Sequence, residues 1–187
     1  MKVTLLSGSS RQNALSLRVA KLLDQKIKET NTNIDVSILD IRDYPLDFVE
    51  NPWQSREAVP SSHVASWDKM RDADTVILIS PEYNGSPSSA LKNFLDHFPK
   101  FSRTVFGICT YSPGAMGGIR AAQQMQQIIC GVFGIPCPQM LLIGGVDKKI
   151  DADGNLIDST FEKSVNGFLS EILWLGKALE DKKVVTK

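Results

Sequence analysis

Glu82, Tyr83, Asn84 and Gly85 place a carboxylate, a phenol, an amide and a glycine in a row, just after the apolar run Val76–Ile79 and its terminator Ser80-Pro81. Polar groups at the end of a buried strand point into a crevice rather than a core, so they incur little burial cost. There, Glu82, Tyr83 and Asn84 can offer edge hydrogen bonds and an aromatic face to a planar ligand, and Gly85 permits close backbone approach. A blander reading makes Asn84-Gly85 a turn, with Ser86 as N-cap and Pro87 at the first helical position. That reading leaves Glu82 and Tyr83 unexplained.

Two further stretches have comparable chemistry. "SGSSRQNALS", Ser7 to Ser16, has the makings of a phosphate cradle. Gly8 allows a tight turn, Ser9, Ser10 and Ser16 offer hydroxyls, Arg11 offers a charged fork, and a following helix offers free N–H groups. The loop has neither the G-x-x-x-x-G-K-[ST] nor the G-x-G-x-x-G spacing, so an ordinary turn with Arg11 in solvent stays equally open. "YSPGAMGGIR", Tyr111 to Arg120, holds Ser112, Gly114, Gly117 and Gly118. Its N–H groups could face a carbonyl-rich ring, or its glycines could serve a flexible turn.

These loops need elements to carry them. Strands are expected at Lys2–Leu6, Ile34–Asp40, Asp74–Ser80, Thr104–Tyr111 and Pro138–Gly145, each a short apolar or alternating run. Between them, apolar residues recur at helical spacing: Leu15 to Ile27, Ala90 to Phe98, Ile119 to Val132 and Phe161 to Leu179. Parallel strands need helical crossovers, so the alternation predicts one α/β domain over 1–187, a doubly wound five-stranded parallel sheet with helices on both faces. In such sheets ligands sit beyond the carboxyl ends of the strands, where strand order reverses. All three loops fall at such ends, and their convergence is the central expectation.

The rest of the composition narrows the function. The chain has 187 residues, 42% hydrophobic and 22% charged, with 21 basic and 21 acidic side chains. Zero formal charge removes the usual drive toward nucleic acid or a membrane surface. No apolar run approaches membrane-spanning length, and the N-terminal run is too short for a signal-peptide core. Cys109, Cys130 and Cys137 form no C-x-x-C pair, which argues against a disulfide framework or a zinc site. A cytoplasmic protein is expected. Cys109 reads as a small apolar core residue, His97 as a favourable helix-end residue, and Asp151–Gly154 as a polar turn rather than a calcium loop. The proline-bearing connection "RDYPLDFVENPWQSREAVPSSHV" is long enough to suggest function. Trp53 and Trp67, in or beside it, are candidates for an interface or a lid.

Taken together, "GSSR", "PEYNGSPSSALKNFLD" and "SPGAMGGIRAAQQMQQI" resemble the NAD(P)H-dependent FMN reductase family of flavodoxin-like quinone, azo-dye and chromate reductases. The resemblance runs from Lys2 to about Gly145. It implies that Ser9, Arg11 and Ser16 hold the phosphate of FMN. It further implies that Pro81, Glu82, Tyr83, Asn84 and Gly85 line the isoalloxazine ring, and that Ser112, Gly114, Gly117 and Gly118 border its other side. The chain departs from the family pattern at Ala14 and Ser16, where relatives often carry Ser and Asn, and in lacking one residue between Ser86 and Pro87. The implied activity is ping-pong transfer from NADPH or NADH through FMN to a small oxidised acceptor, with no side chain needed as an obligatory acid or base. A homodimer or homotetramer with the flavin near a subunit boundary is implied too, touching Arg42–Ser62 and the helix after Pro87. The rival readings are a flavodoxin-like electron carrier, which the neutral charge disfavours, and a flavin-free hydrolase, for which no G-x-S-x-G elbow is present.

Overall fold

Strand β1 (Lys2–Ser7) sits between β2 (Asp35–Asp40) and β3 (Thr75–Tyr83), and the sheet continues through β5 (Val105–Ser112) to β6 (Ile135–Gly144). A two-residue strand, β4 (Ser86–Pro87), pairs only with β3. The computed structural model describes residues 1–30 and 33–180. The five main strands are all parallel, and their order, β2-β1-β3-β5-β6, reverses between β1 and β3. That places a topological switch point beside Ser7 and Ile79, which are register partners.

Pleating divides the core into two layers. Leu5, Ile77 and Ile79 face the side covered by α1 (Ser16–Thr30) and α5 (Glu162–Glu180), where Val19, Leu23, Val165 and Phe168 meet them. Leu6, Val76 and Leu78 face α2 (Val64–Arg71), α3 (Ser89–Asp96) and α4 (Ile119–Gly131), contributing Met70, Phe94 and Met125. Adjacent β3 residues thus serve opposite layers, as a period of two requires. The fold is the α/β, flavodoxin-like parallel sheet expected from the alternation of strands and helices.

Three boundaries differ from those expected. β3 continues through Ser80-Pro81 to Tyr83, because Glu82 and Tyr83 pair antiparallel with Pro87 and Ser86. The turn between them places Asn84 at φ 52° and Gly85 at φ 77°, the left-handed pair that a two-residue hairpin requires. Ser86-Pro87 therefore forms a strand, and the helix starts one step later with Ser88 as N-cap, its Oγ accepting from Leu91 N–H at 3.1 Å. β6 begins at Ile135 rather than Pro138. It is an edge strand, where Pro136 and Pro138 are tolerated, and its register with β5 shifts between Phe106 and Ile108.

Trp53 and Trp67 are neither lid nor interface. Both are buried, and Trp53 packs on His97 and Phe98 with centroids 5.1 and 5.2 Å apart, while Trp67 stacks on Phe98 at 5.5 Å. The long connection is folded down by aromatic burial; its large exposed apolar side chain is Phe48, 88% accessible.

The contact of β3 with α5 carries a testable defect. Thr75 Oγ1 is buried without a hydrogen-bond partner among the described residues, and a Cβ on Gly176 of α5 would lie 2.3 Å from it. Thr75→Val exchanges that unsatisfied hydroxyl for a methyl of the same shape. It is expected to raise stability by about 1 kcal/mol in urea denaturation, whereas Gly176→Ala is expected to lower it.

Candidate functional site

The loops after β1, β3 and β5 meet in one open cavity of about 510 Å³ at the carboxyl edge of the sheet. Ser9 and Arg11 enter from the loop after β1, Pro81, Glu82 and Tyr83 from the last residues of β3 with Asn84 from the turn that follows, and Ser112 from the last residue of β5. Arg11, Asn84 and the loop that Gly117 closes thus share one rim.

Local chemistry explains the convergence. Gly8 N–H donates to Ile79 C=O at 2.8 Å, and a Cβ on Gly8 would lie 2.9 Å from that same oxygen, so only glycine fits. Ser88 N–H donates to Ser80 Oγ at 2.9 Å, and Ser88 Oγ donates to Gly8 C=O. One serine therefore ties α3, β3 and the first loop together. Ser9 Oγ lies 3.2 Å from Tyr83 Oη, and the Arg11 guanidinium stacks over the Tyr83 ring at 4.0 Å. The cation is thus held at the cavity wall by an aromatic face and keeps its donor fork.

Several predicted residues act as supports, whether or not they also reach the cavity surface. Ser16, fully buried, is hydrogen-bonded to Ser7 Oγ at 2.9 Å. The Glu82 carboxylate accepts from the N–H groups of Arg120 and Ala121 at 3.1 and 3.4 Å and pairs with the Arg120 side chain at 3.6 Å. It caps α4, whose N-cap residue Gly118 has no side chain to do so. Gly117 C=O accepts from Thr110 Oγ1 at 2.8 Å, Gly114 C=O accepts from Ser112 Oγ at 2.9 Å, and Gly85 sits in the hairpin turn. These glycines shape the wall from behind.

The structure also adds Asn13, Ala14, Leu15, Tyr111 and Pro113 to the lining. Tyr111 was legible in principle, since it is the register partner of Pro81 at the next strand's end. Its phenol is pushed up to about 12, chiefly by burial, with hydrogen bonding from Ser16 pulling the other way. It is therefore a neutral hydroxyl throughout the physiological range. Burial also pushes the Cys109 thiol up, so that residue is no thiolate and packs as an apolar side chain.

The cavity suits a flat, phosphorylated ligand. Val19 N–H to Leu15 C=O is the first backbone bond entering α1, so the preceding N–H groups lie at the end that favours anions, and no acidic residue occupies its first turn. Ser9, Arg11 and Asn13 stand at that end, while Pro81, Tyr83, Tyr111 and Pro113 give broad apolar surface. The one carboxylate in the lining, Glu82, is turned to α4 and so does not oppose a phosphate. A larger cavity of about 820 Å³ lies at the amino ends of the strands, by Met1 and Ile34. There Lys26 is already paired with Glu29 and Glu162, and the position is wrong for an α/β ligand site.

Fold and cavity together are those of a flavodoxin-like sheet with an open cavity at its switch point. The sequence matches the NADPH-dependent FMN reductase family over residues 1–147, and the chain belongs to that family. It is 31% identical to a quinone reductase of Escherichia coli strain K12 over 168 aligned residues, covering 84% of this chain and 86% of the relative. Among solved structures, it resembles FerB, a flavoenzyme NAD(P)H:(acceptor) oxidoreductase from Paracoccus denitrificans, with a TM-score of 0.77 and 25% identity over 94% of this chain and 97% of that one. A Pseudomonas aeruginosa flavodoxin shares the fold, with a TM-score of 0.53 and 14% identity over 92% and 99% of the two chains. Membership of that family makes the chain an oxidoreductase of the FMN reductase type.

Proposed function

We propose that the chain reduces quinone-like or similarly flat oxidised acceptors, with FMN held in the cavity at the β1–β3 switch point. The observation that carries the reading is the meeting of Arg11, from the loop after β1, with Tyr83 and Ser112, from the ends of β3 and β5, around one cavity. Ser9, Arg11, Asn13 and the start of α1 bind the phosphate. Pro81 through Asn84 and Tyr111 through Pro113 orient the ring. FMN bound there supplies the redox chemistry, taking hydride from NAD(P)H and passing electrons to the acceptor in alternate half-reactions. Nicotinamide and acceptor use the same open face in turn, which gives ping-pong kinetics. The protein's own part is to bind and to orient.

The test is the visible spectrum of the FMN-loaded protein on adding NADPH or NADH, followed by 1,4-benzoquinone. Bleaching by a nicotinamide and recovery with quinone are expected. Retained flavin that neither nicotinamide bleaches would support the electron-carrier reading instead.

We also assign the surface between Arg42–Ser62 and α3 to contact with a second copy of the chain, and place the protein in the cytoplasm, where reduced nicotinamides are made and spent. Among the described residues no helix is long and apolar enough to cross a membrane. Phe48 supports the assembly. Asn93 of α3 accepts from Val49 N–H at 3.0 Å and donates to Asp47 C=O at 2.9 Å, so the backbone on both sides of this exposed ring is fixed. A rigidly presented, solvent-facing phenylalanine is a poor choice for a bare surface. Gel filtration is expected to give a multiple of the monomer mass, and Phe48→Ser to weaken association by about tenfold. A wild-type monomer at working concentrations would end this assignment.

A further inference from the structure

We propose that Arg42 is a positioning residue for the cofactor phosphate: by gripping the Gln12 carbonyl, it sets the orientation of the Gln12–Asn13 peptide and aims the Asn13 N–H into the flavin cavity. The proposal rests on the assignment of the first loop to the phosphate.

The geometry begins at the end of β2. Asp40, the register partner of Ser7, is nearly buried and receives Arg42 in a fork: Nε at 3.0 and 3.1 Å from its two oxygens, Nη2 at 2.6 Å. Asp40 also accepts from Arg42 N–H at 3.0 Å, so both ends of the arginine are fixed by one carboxylate. The remaining terminal nitrogen, Nη1, donates to Gln12 C=O at 2.9 Å. A guanidinium held this firmly gives up little further entropy in making that last bond.

Gln12 and Asn13 are the central residues of a turn that Ala14 N–H closes onto Arg11 C=O at 3.1 Å. The peptide between them is the one that flips between type I and type II turns. Type II needs positive φ at its second central residue, a conformation asparagine accepts more readily than most side chains. In this turn Asn13 is not among the residues with positive φ. Both flip states are thus open to this sequence, and an external contact decides between them. In a trans peptide, C=O and the following N–H point in opposite directions. Gln12 lines a small cavity together with Arg42, whereas Asn13 lines the flavin cavity. Drawing the carbonyl toward Arg42 therefore turns the N–H the other way. It places a donor, rather than a carbonyl oxygen, where a phosphate dianion would lie, before any ligand arrives.

The test compares FMN with riboflavin, which lacks the phosphate, by fluorescence titration of wild type, Arg42→Lys, Arg42→Met and Arg11→Ala, with thermal denaturation of each apo-protein alongside. Lysine keeps a cation for Asp40 but has no fork to span carboxylate and carbonyl. FMN affinity in Arg42→Lys is expected to fall about tenfold with riboflavin affinity unchanged. The Asn13 amide nitrogen resonance is expected to shift when wild type binds FMN, not riboflavin, and to lose that shift in the variant. Equal weakening of both flavins, or no change in either, overturns the proposal and leaves Arg42 as a brace for Asp40. If Arg11→Ala too leaves the preference for FMN unaltered, the phosphate assignment of the loop has failed, and the proposal with it. A preference altered by Arg11→Ala but not by Arg42→Lys would sink the proposal alone.

Discussion

Gly144→Ala is expected to cost about 2 to 3 kcal/mol of stability and to weaken FMN binding at least about tenfold. A Cβ at this position would lie 2.3 Å from Ala115 O, 2.8 Å from Ala115 C and 3.0 Å from Gly114 O. All three atoms are backbone, so no side chain can swing aside. The contact is reciprocal. A Cβ on Gly117, at φ +61°, would lie 2.8 Å from Ile143 N and 2.9 Å from Gly144 N. Loop and strand thus lie glycine against glycine, with no room for a methyl on either side. An added methyl lifts the 114–118 segment off β6, straining the bond from Thr110 to Gly117 C=O and the one from Ser112 to Gly114 C=O. Ser112 and Pro113 move with it, and they form a wall of the cavity proposed to hold the flavin. Urea denaturation reads the first effect and flavin fluorescence the second. Gly131→Ala, at the exposed end of α4 with nothing within 4 Å, is the control and is expected to be mildly stabilising. Full flavin affinity in Gly144→Ala would mean that the third loop does not border the ring.

The sequence made the parallel sheet legible because a run such as Val76–Ile79 admits few alternatives once helices flank it. It also made the convergence of the three loops legible, since that follows from topology without any coordinates. What lay beyond it was the direction of individual side chains. Glu82 is spaced for the cavity rim, yet its carboxylate turns to cap α4, since Gly118 leaves that helix end uncapped. Ser16 offers a hydroxyl in sequence but buries it against Ser7. Trp53 lies in a proline-bearing segment of loop-like composition and Trp67 just beyond it in α2, and only the three-dimensional proximity of Phe98 and His97 draws the two rings into one cluster. Ser86-Pro87 satisfies the local rule for a helix start. The competing hairpin prevails because Asn84-Gly85 can adopt two left-handed residues in succession, and pairing to Glu82 and Tyr83 then postpones the helix to Ser88. In each case a tertiary partner outweighs a sound local preference.

Arg11→Ala is expected to weaken FMN by about thirtyfold, near 2 kcal/mol, while leaving riboflavin binding close to wild type. The guanidinium lies 4.0 Å over the Tyr83 ring and beside Ser9, at the end of the cavity where α1 presents its N–H groups. A hydrogen bond from an ionised donor to a phosphate is stronger than one between neutral groups, and here it adds to a helix end of the same sign. Arginine should also outperform lysine: its planar fork can rest on the tyrosine and donate to phosphate oxygens at once, whereas an ammonium must leave the ring to do so. Arg11→Lys is therefore expected to fall between wild type and alanine. Because part of the attraction is long-range, the affinity gap between wild type and Arg11→Ala should narrow as salt is raised. Riboflavin isolates the phosphate from the ring. If Arg11→Ala weakens both flavins alike, the residue supports the ring through Tyr83 and the phosphate sits elsewhere.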